Sequence, residues 1–121
     1  MVLEKLLHDL TVCKTDSIGE IDLDAGFFFI GRTDSEISLV CLTSDVPERA
    51  TDRVDGWRGF RVRGPLDFSL TGVLAELSGI LADHGIPIFA VSTFDTDYIL
   101  VKASDFDRAS SALKRAGHEI R

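Results

Sequence analysis

The sequence predicts an α+β protein. Its second half follows the βαββαβ, ferredoxin-like plan, and a shorter, helix-poor set of strands precedes it. Three observations predict this. Two stretches, 70–81 and 106–116, carry apolar residues at helical spacing. Short runs rich in β-branched and aromatic residues, such as 27–30, 37–42 and 98–101, flank them. Gly, Pro, Asp and Ser gather at the junctions, where the chain must turn.

In chain order, 6–14 places Leu10, Val12 and Lys14 on one parity and Thr11 and Cys13 on the other. It reads as a strand, with its start open to a helical turn. Residues 15–24 are acidic and turn-like. Phe27-Phe28-Phe29-Ile30 is apolar on both parities, as expected of a strand covered on both faces. Gly31-Arg32-Thr33-Asp34-Ser35 connects it to Ile37-Ser38-Leu39-Val40-Cys41-Leu42, so these two strands are expected to be antiparallel neighbours. Residues 43–55 are polar, with one helical turn at Pro47-Glu48-Arg49, and mark a soft boundary; 57–62 is the next strand.

The longest amphipathic pattern follows. Leu70, Val73, Leu74, Leu77, Ile80 and Leu81 share one helical face, and Gly85 with Pro87 ends the helix. Residues 86–91 and 98–101 read as two strands joined by the polar turn Ser92-Thr93-Phe94-Asp95-Thr96-Asp97. Ser104-Asp105-Phe106-Asp107 has the Ser-x-x-acid pattern of a helix start. Phe106, Ala109, Leu113 and Ala116 make the second helical stripe, Gly117 closes it, and 118–120 is a short last strand.

Composition bounds the function. With 121 residues, 45% hydrophobic and 27% charged, the chain can bury a core and does not fit a disordered polymer. A net charge of −7, from 13 basic and 20 acidic residues, counts against a nucleic-acid partner, which needs a concentrated basic footprint. The one basic run, Arg58, Arg61 and Arg63, reads as a solvated strand face. Cys13 and Cys41 sit in apolar runs without ligand spacing, so buried, reduced core residues are expected. The N-terminus is broken by charge, unlike a signal peptide, and no run nears the roughly 20 apolar residues of a membrane span. A cytoplasmic protein without membrane contact is expected.

Two motifs carry a family resemblance. Thr71-Gly72-Val73-Leu74-Ala75-Glu76-Leu77 with Leu81-Ala82-Asp83-His84-Gly85-Ile86-Pro87-Ile88 resembles the glycine-entered first helix and second strand of ACT domains. More narrowly, GPLDFSLTG (64–72) with STFDTDYILVK (92–102) is similar to the tandem ACT subfamily related to the CASTOR arginine sensors. Asp34 to Val40 and Pro47-Glu48 resemble the reduced first unit of that group. The resemblance implies a truncated ACT-like unit over 1–55 and an ACT domain over 56–121.

It also implies a regulatory protein that binds a small molecule, an amino acid foremost, at an interface between ACT units, with a homodimer expected. The family's site, at the loop entering the first helix and the second-strand edge, carries over to Gly64, Asp67, Phe68, Ser69, Leu70, Thr71 and Gly72, and to Ser92, Thr93, Phe94, Asp95 and Asp97. The helix entry here is Ser69-Leu70-Thr71-Gly72, where many ACT domains have an Asp-x-Pro-Gly-like sequence.

The residue chemistry is compatible. A helix N-terminus offers amides to a carboxylate. Asp67, Asp95 or Asp97 can accept from an ammonium or guanidinium group, and Phe68 and Phe94 can cover an apolar stem. Each also has a plainer role: Asp67 and Ser69 as helix caps, Asp95-Thr96-Asp97 as a self-bonded β-turn, Phe68 and Phe94 as core or dimer-interface residues. The alternative function is a ligand-free interaction module with Trp57 and 27–29 as anchors. His8, His84 and His118 have no metal spacing, and no nucleophile or phosphate-loop motif occurs. Neither an enzyme nor a cofactor or metal is expected.

Overall fold

The two helices end in the same way, and their ends set where the following strands begin. In each, a glycine at positive φ (Gly85 at 68°, Gly117 at 100°) lets the chain fold back on the last turn. The Gly85 and Ile86 amides donate to the Ala82 and Leu81 carbonyls at 2.9 and 3.0 Å; those of Gly117 and His118 donate to Lys114 and Leu113 at 3.0 and 3.1 Å. The carbonyls left over at a helix end are thereby satisfied, and the buried Ile86 and His118 are turned inward.

The computed structural model describes residues 1–121. Its strands are β1 (Val2–Lys14), β2 (Phe28–Arg32), β3 (Ile37–Leu42), β4 (Thr51–Val62), β5 (Phe89–Ser92), β6 (Asp97–Lys102) and β7 (Glu119–Ile120). The helices are α1 (Val73–Asp83) and α2 (Phe106–Arg115), with short 3-10 turns at Ile18–Glu20, Thr43–Asp45 and Ala103–Asp105. No helix is long and apolar enough to cross a membrane. The chain divides into two compact units, Met1–Leu7 with Arg58–Arg121, and His8–Trp57. The sequence predicts one boundary, at 55/56; this division falls at 57/58 and places 1–7 with the larger unit.

In the larger unit the order β4-α1-β5-β6-α2-β7 is the βαββαβ plan. Its strands lie in the order β7-β1-β4-β6-β5. The N-terminal segment of β1 is therefore interposed beside β7 and pairs with it in parallel, Val2 opposite Glu119 and Leu3 opposite Ile120. β5 and β6 are antiparallel, from Phe89 opposite Leu100 to Ser92 opposite Asp97. Both helices bury one stripe on this layer. Leu77 and Leu81 come from α1 and Phe106, Ala109 and Leu113 from α2; they pack with Phe60, Val62 and Val101. Phe60 and Phe106 stack at 4.8 Å, and the Arg58 guanidinium lies 4.3 Å from the Phe106 ring centre. Each fully buried leucine contributes about 1.5–3 kcal/mol relative to exposure.

In the smaller unit β1 pairs antiparallel with β3, Leu10 opposite Leu42 through Lys14 opposite Ser38. β3 pairs antiparallel with β2, Phe28 opposite Cys41 through Arg32 opposite Ile37. It contains 3-10 turns and no α-helix. Cys13, Ile21, Leu39 and Cys41 form its buried cluster, with Phe28, Ile30 and Ile37 packed against it. Both cysteines are free thiols.

Several expected boundaries are corrected. β1 begins at Val2, because the Glu119 and Arg121 amides bond the Met1 and Leu3 carbonyls at 2.9 and 2.8 Å and the Lys5 amide bonds the Arg121 carbonyl at 2.7 Å. β4 begins at Thr51, inside the stretch expected as loop, and the expected helical turn at 47–49 is a single turn closed by the Ala50 amide on the Pro47 carbonyl. The strand expected over 86–91 is Phe89–Ser92. α1 starts at Val73 rather than 70. α2 starts at Phe106 behind a 3-10 turn, with no side-chain cap, so Ser104 does not play the expected capping part. Ala116, expected in the α2 stripe, is exposed.

Candidate functional site

Gly72 decides the site's geometry. It stands at φ 80°, ψ 0° as the residue before α1, a conformation only glycine adopts without strain. Its carbonyl accepts the Glu76 amide at 2.9 Å, the first bond of the helix. Without a side chain it supplies no capping oxygen, so no side chain caps α1. Gly72, Val73, Leu74 and Ala75 then form one wall of a cavity of about 310 Å³. The loop residues Leu66, Asp67, Phe68 and Leu70 form a second wall, and the turn from Ser92 to Asp97 a third.

Local hydrogen bonds shape both loops. Asp67 Oδ1 accepts from the Ser69 amide at 2.8 Å and the Ser69 hydroxyl at 2.6 Å. Those two bonds, the hydroxyl's foremost, hold the Asp67 carboxyl below its ordinary 3.8. Asp67 and Ser69 thus close an Asx turn separated from the helix by residues 70–72, and neither caps α1. In the second loop the Thr93 amide and hydroxyl donate to the Thr96 carbonyl at 2.8 and 3.1 Å, and Ser92 donates to Asp97 Oδ1 at 2.6 Å. The buried Thr96 hydroxyl donates to the Val62 carbonyl at 2.6 Å, fastening the turn to β4.

The two loops are also tied together. The Leu66 amide donates to the Asp95 carbonyl at 2.7 Å. A Cβ on Gly64 would come within 3.0 Å of that same carbonyl oxygen and 3.1 Å of Thr96 Cβ, so any larger residue there would push the two loops apart by a few tenths of an ångström. Phe68 and Phe94 meet edge to face at 4.9 Å across the cavity mouth. They are 76% and 80% exposed, so neither is a core residue.

Of the residues singled out from the sequence, Asp67, Phe68, Leu70, Gly72, Ser92, Thr93, Phe94, Asp95 and Asp97 line this one cavity. Ser69 and Thr71 do not line it; Ser69 acts through Asp67, and Gly64 lines a second cavity instead. Leu66, Val73, Leu74, Ala75 and Thr96 complete the lining and were not singled out. For Val73, Leu74 and Ala75 the signal was present in Gly72, since the first helical residues must border whatever approaches an uncapped end. No group of three or more His, Cys, Asp and Glu side chains is gathered as a metal ion would need.

The wall chemistry is two-sided. An uncapped helix start carries partial positive charge and suits an anionic group. Asp67, Asp95 and Asp97 carry negative charge toward the same space and suit a cation. A zwitterion with a short apolar stem matches both.

The profile of the ACT domain family matches residues 52–115. A solved structure from Agrobacterium tumefaciens is 33% identical, with a TM-score of 0.86, over 99% of this chain and 91% of that one. A Vibrio cholerae protein of unknown function is 19% identical, with a TM-score of 0.71, over 92% of this chain and 85% of that one. The aspartate kinase of Clostridium acetobutylicum, described as an allosteric enzyme, is 11% identical, with a TM-score of 0.66, over 94% of this chain and 33% of that one. The last two likenesses concern the fold.

Proposed function

The chain belongs to the ACT domain family, and from that premise we propose that it is a regulatory module binding a small amino acid in the cavity at the start of α1. One observation carries this: the uncapped helix start and three aspartates border a single space of about 310 Å³. In this proposal the ligand's carboxylate takes the amides of the first helical turn. Its ammonium takes Asp97 and Asp95, while Phe68 and Phe94 cover the stem. The protein works without catalysis, cofactor or metal, in the cytoplasm, as a homodimer whose second copy closes the cavity mouth. Its kinship within the family is with the tandem proteins related to the CASTOR arginine sensors, the smaller unit corresponding to their reduced first ACT-like unit.

A thermal-shift screen against the common amino acids tests this. A ligand binding only the folded state at about 100 times its Kd adds roughly 2.7 kcal/mol, a rise on the order of 10 °C for a chain of this length. The expected result is a hit that Asp97→Asn weakens at least tenfold with the unliganded melting temperature little changed. Silence across the panel overturns the proposal. The exposed Phe68–Phe94 pair would then favour the second reading, a ligand-free interaction module.

A further inference from the structure

On β4 the side chains alternate. Phe60 and Val62 enter the core against the helices, so Arg61 and Arg63 stand on the other face of the strand. There Glu4 holds both: Arg61 Nε lies 3.5 Å from its Oε1, and Arg63 Nη2 lies 3.8 Å from its Oε2. Arg61 Nη1 is 3.5 Å from the Tyr98 hydroxyl. These distances exceed the about 2.7–2.9 Å of a tight charge-assisted hydrogen bond. Two guanidiniums carry about ten N–H donors between them, and Glu4 and Tyr98 engage them loosely. All four residues line a second cavity of about 280 Å³, whose lining Gly64, Pro65, Thr93, Asp95 and Thr96 complete.

We propose that this cavity is a separate binding site for a small oxyanion that also carries an O–H donor, such as a hydrogen phosphate or a hydroxycarboxylate. Glu4 bridges the two guanidiniums, holding them side by side before any ligand arrives, so less side-chain entropy is lost on binding. The anion takes the N–H donors that Glu4 leaves poorly engaged. The ligand's O–H group faces the acceptors of the remaining lining. The lining is formally neutral, Arg61 and Arg63 being balanced by Glu4 and Asp95, so it is the directed guanidinium N–H donors and not net charge that favour an anion in a chain carrying −7. The site does not depend on an amino acid occupying the cavity at α1.

The test is titration of the full chain with inorganic phosphate and, separately, with malate at low ionic strength. Arginine side-chain N–H resonances are followed by NMR. Saturable shifts at the Arg61 and Arg63 Nε–H signals are expected with at least one probe, and the two arms tell phosphate from hydroxycarboxylate. Arg63→Gln and Arg61→Gln should each weaken that binding at least tenfold, with Arg115→Gln unchanged and any response to amino acids retained. Absence of saturable shifts at millimolar anion, shifts centred on other arginines, or equal weakening by Arg115→Gln would each overturn it. Should Arg61→Gln lower stability, Arg63→Gln and the shifts of the unaltered chain decide.

Discussion

Thr96→Val removes one hydroxyl from the point where the second binding loop meets the core. Valine nearly matches threonine in shape, so packing is kept and one bond is lost, the 2.6 Å hydrogen bond to the Val62 carbonyl. Thr96 is 6% exposed and Val62 is fully buried, so water cannot replace the donor. Leaving a buried acceptor short of its partner costs about 1–3 kcal/mol. Near the middle of that range, about 2 kcal/mol, a chain of this length should lose roughly 6–12 °C in melting temperature, interpolating between small and large domains. Thr93→Val is the internal comparison. Its hydroxyl only adds a second bond, at 3.1 Å, to a carbonyl that already accepts the Thr93 amide at 2.8 Å, and it is exposed. It should cost less than about 0.5 kcal/mol. Differential scanning calorimetry of both variants is the assay. Equal and small shifts, under about 2 °C for Thr96→Val, would refute the idea that this bond fastens the turn.

Gly59→Ala would place a Cβ 2.5 Å from Leu100 Cδ2, 3.0 Å from the Ile99 carbonyl oxygen and 3.2 Å from Leu6 Cδ1; urea denaturation should show a loss of about 1–3 kcal/mol, since the packed Leu100 side chain must shift to admit it. Burial, followed by its neighbours Cys13 and Asp45, pushes the Cys41 thiol from 9.0 to about 12, and burial also raises Cys13. The folded protein at pH 8 should therefore resist a thiol reagent that labels both residues once guanidinium unfolds it. The sign for stability follows: these thiols contribute no pH dependence below about 9, and as pH climbs from 9 toward 12 the unfolded chain ionises first and stability falls. Ser69→Ala should raise the Asp67 carboxyl toward 3.8, read by carboxyl NMR titration. The loop order that Ser69 gives is present above that value and fades as pH falls through the depressed one.

How much of this was legible in the sequence depends on the kind of signal. The α1 stripe from Val73 to Leu81 was legible because burial enforces a 3.6-residue period, and Leu77 and Leu81 are fully buried. Leu70 fits the same period by coincidence: it is 51% exposed in the loop, and Gly72 at positive φ keeps the helix from reaching back to it. Leu3, Leu6 and Leu10 follow helical spacing, yet they belong to a strand. What decides that is pairing with Glu119 and Ile120, over a hundred residues away, which no local window contains. Ser104 matched a capping pattern but lies inside the 3-10 turn Ala103–Asp105, so its geometry was a tertiary outcome. In the site, the glycines and the aspartate-rich turn were visible as residue types. That Asp67 would spend its carboxylate on Ser69, and that Gly64 would press against the Asp95 carbonyl, depended on loop paths that composition does not specify.

Thr93, Asp95 and Thr96 border both cavities, so one short turn is a party wall between them. A displacement of that wall that enlarges one chamber reshapes the other. Should both chambers hold ligands, thermodynamics requires reciprocity: whatever factor the first occupant imposes on the second's affinity, the second imposes on the first. The Leu66 amide and the Thr96 hydroxyl, gripping the wall from two directions, set how stiff it is and so how strongly the two occupants would register each other.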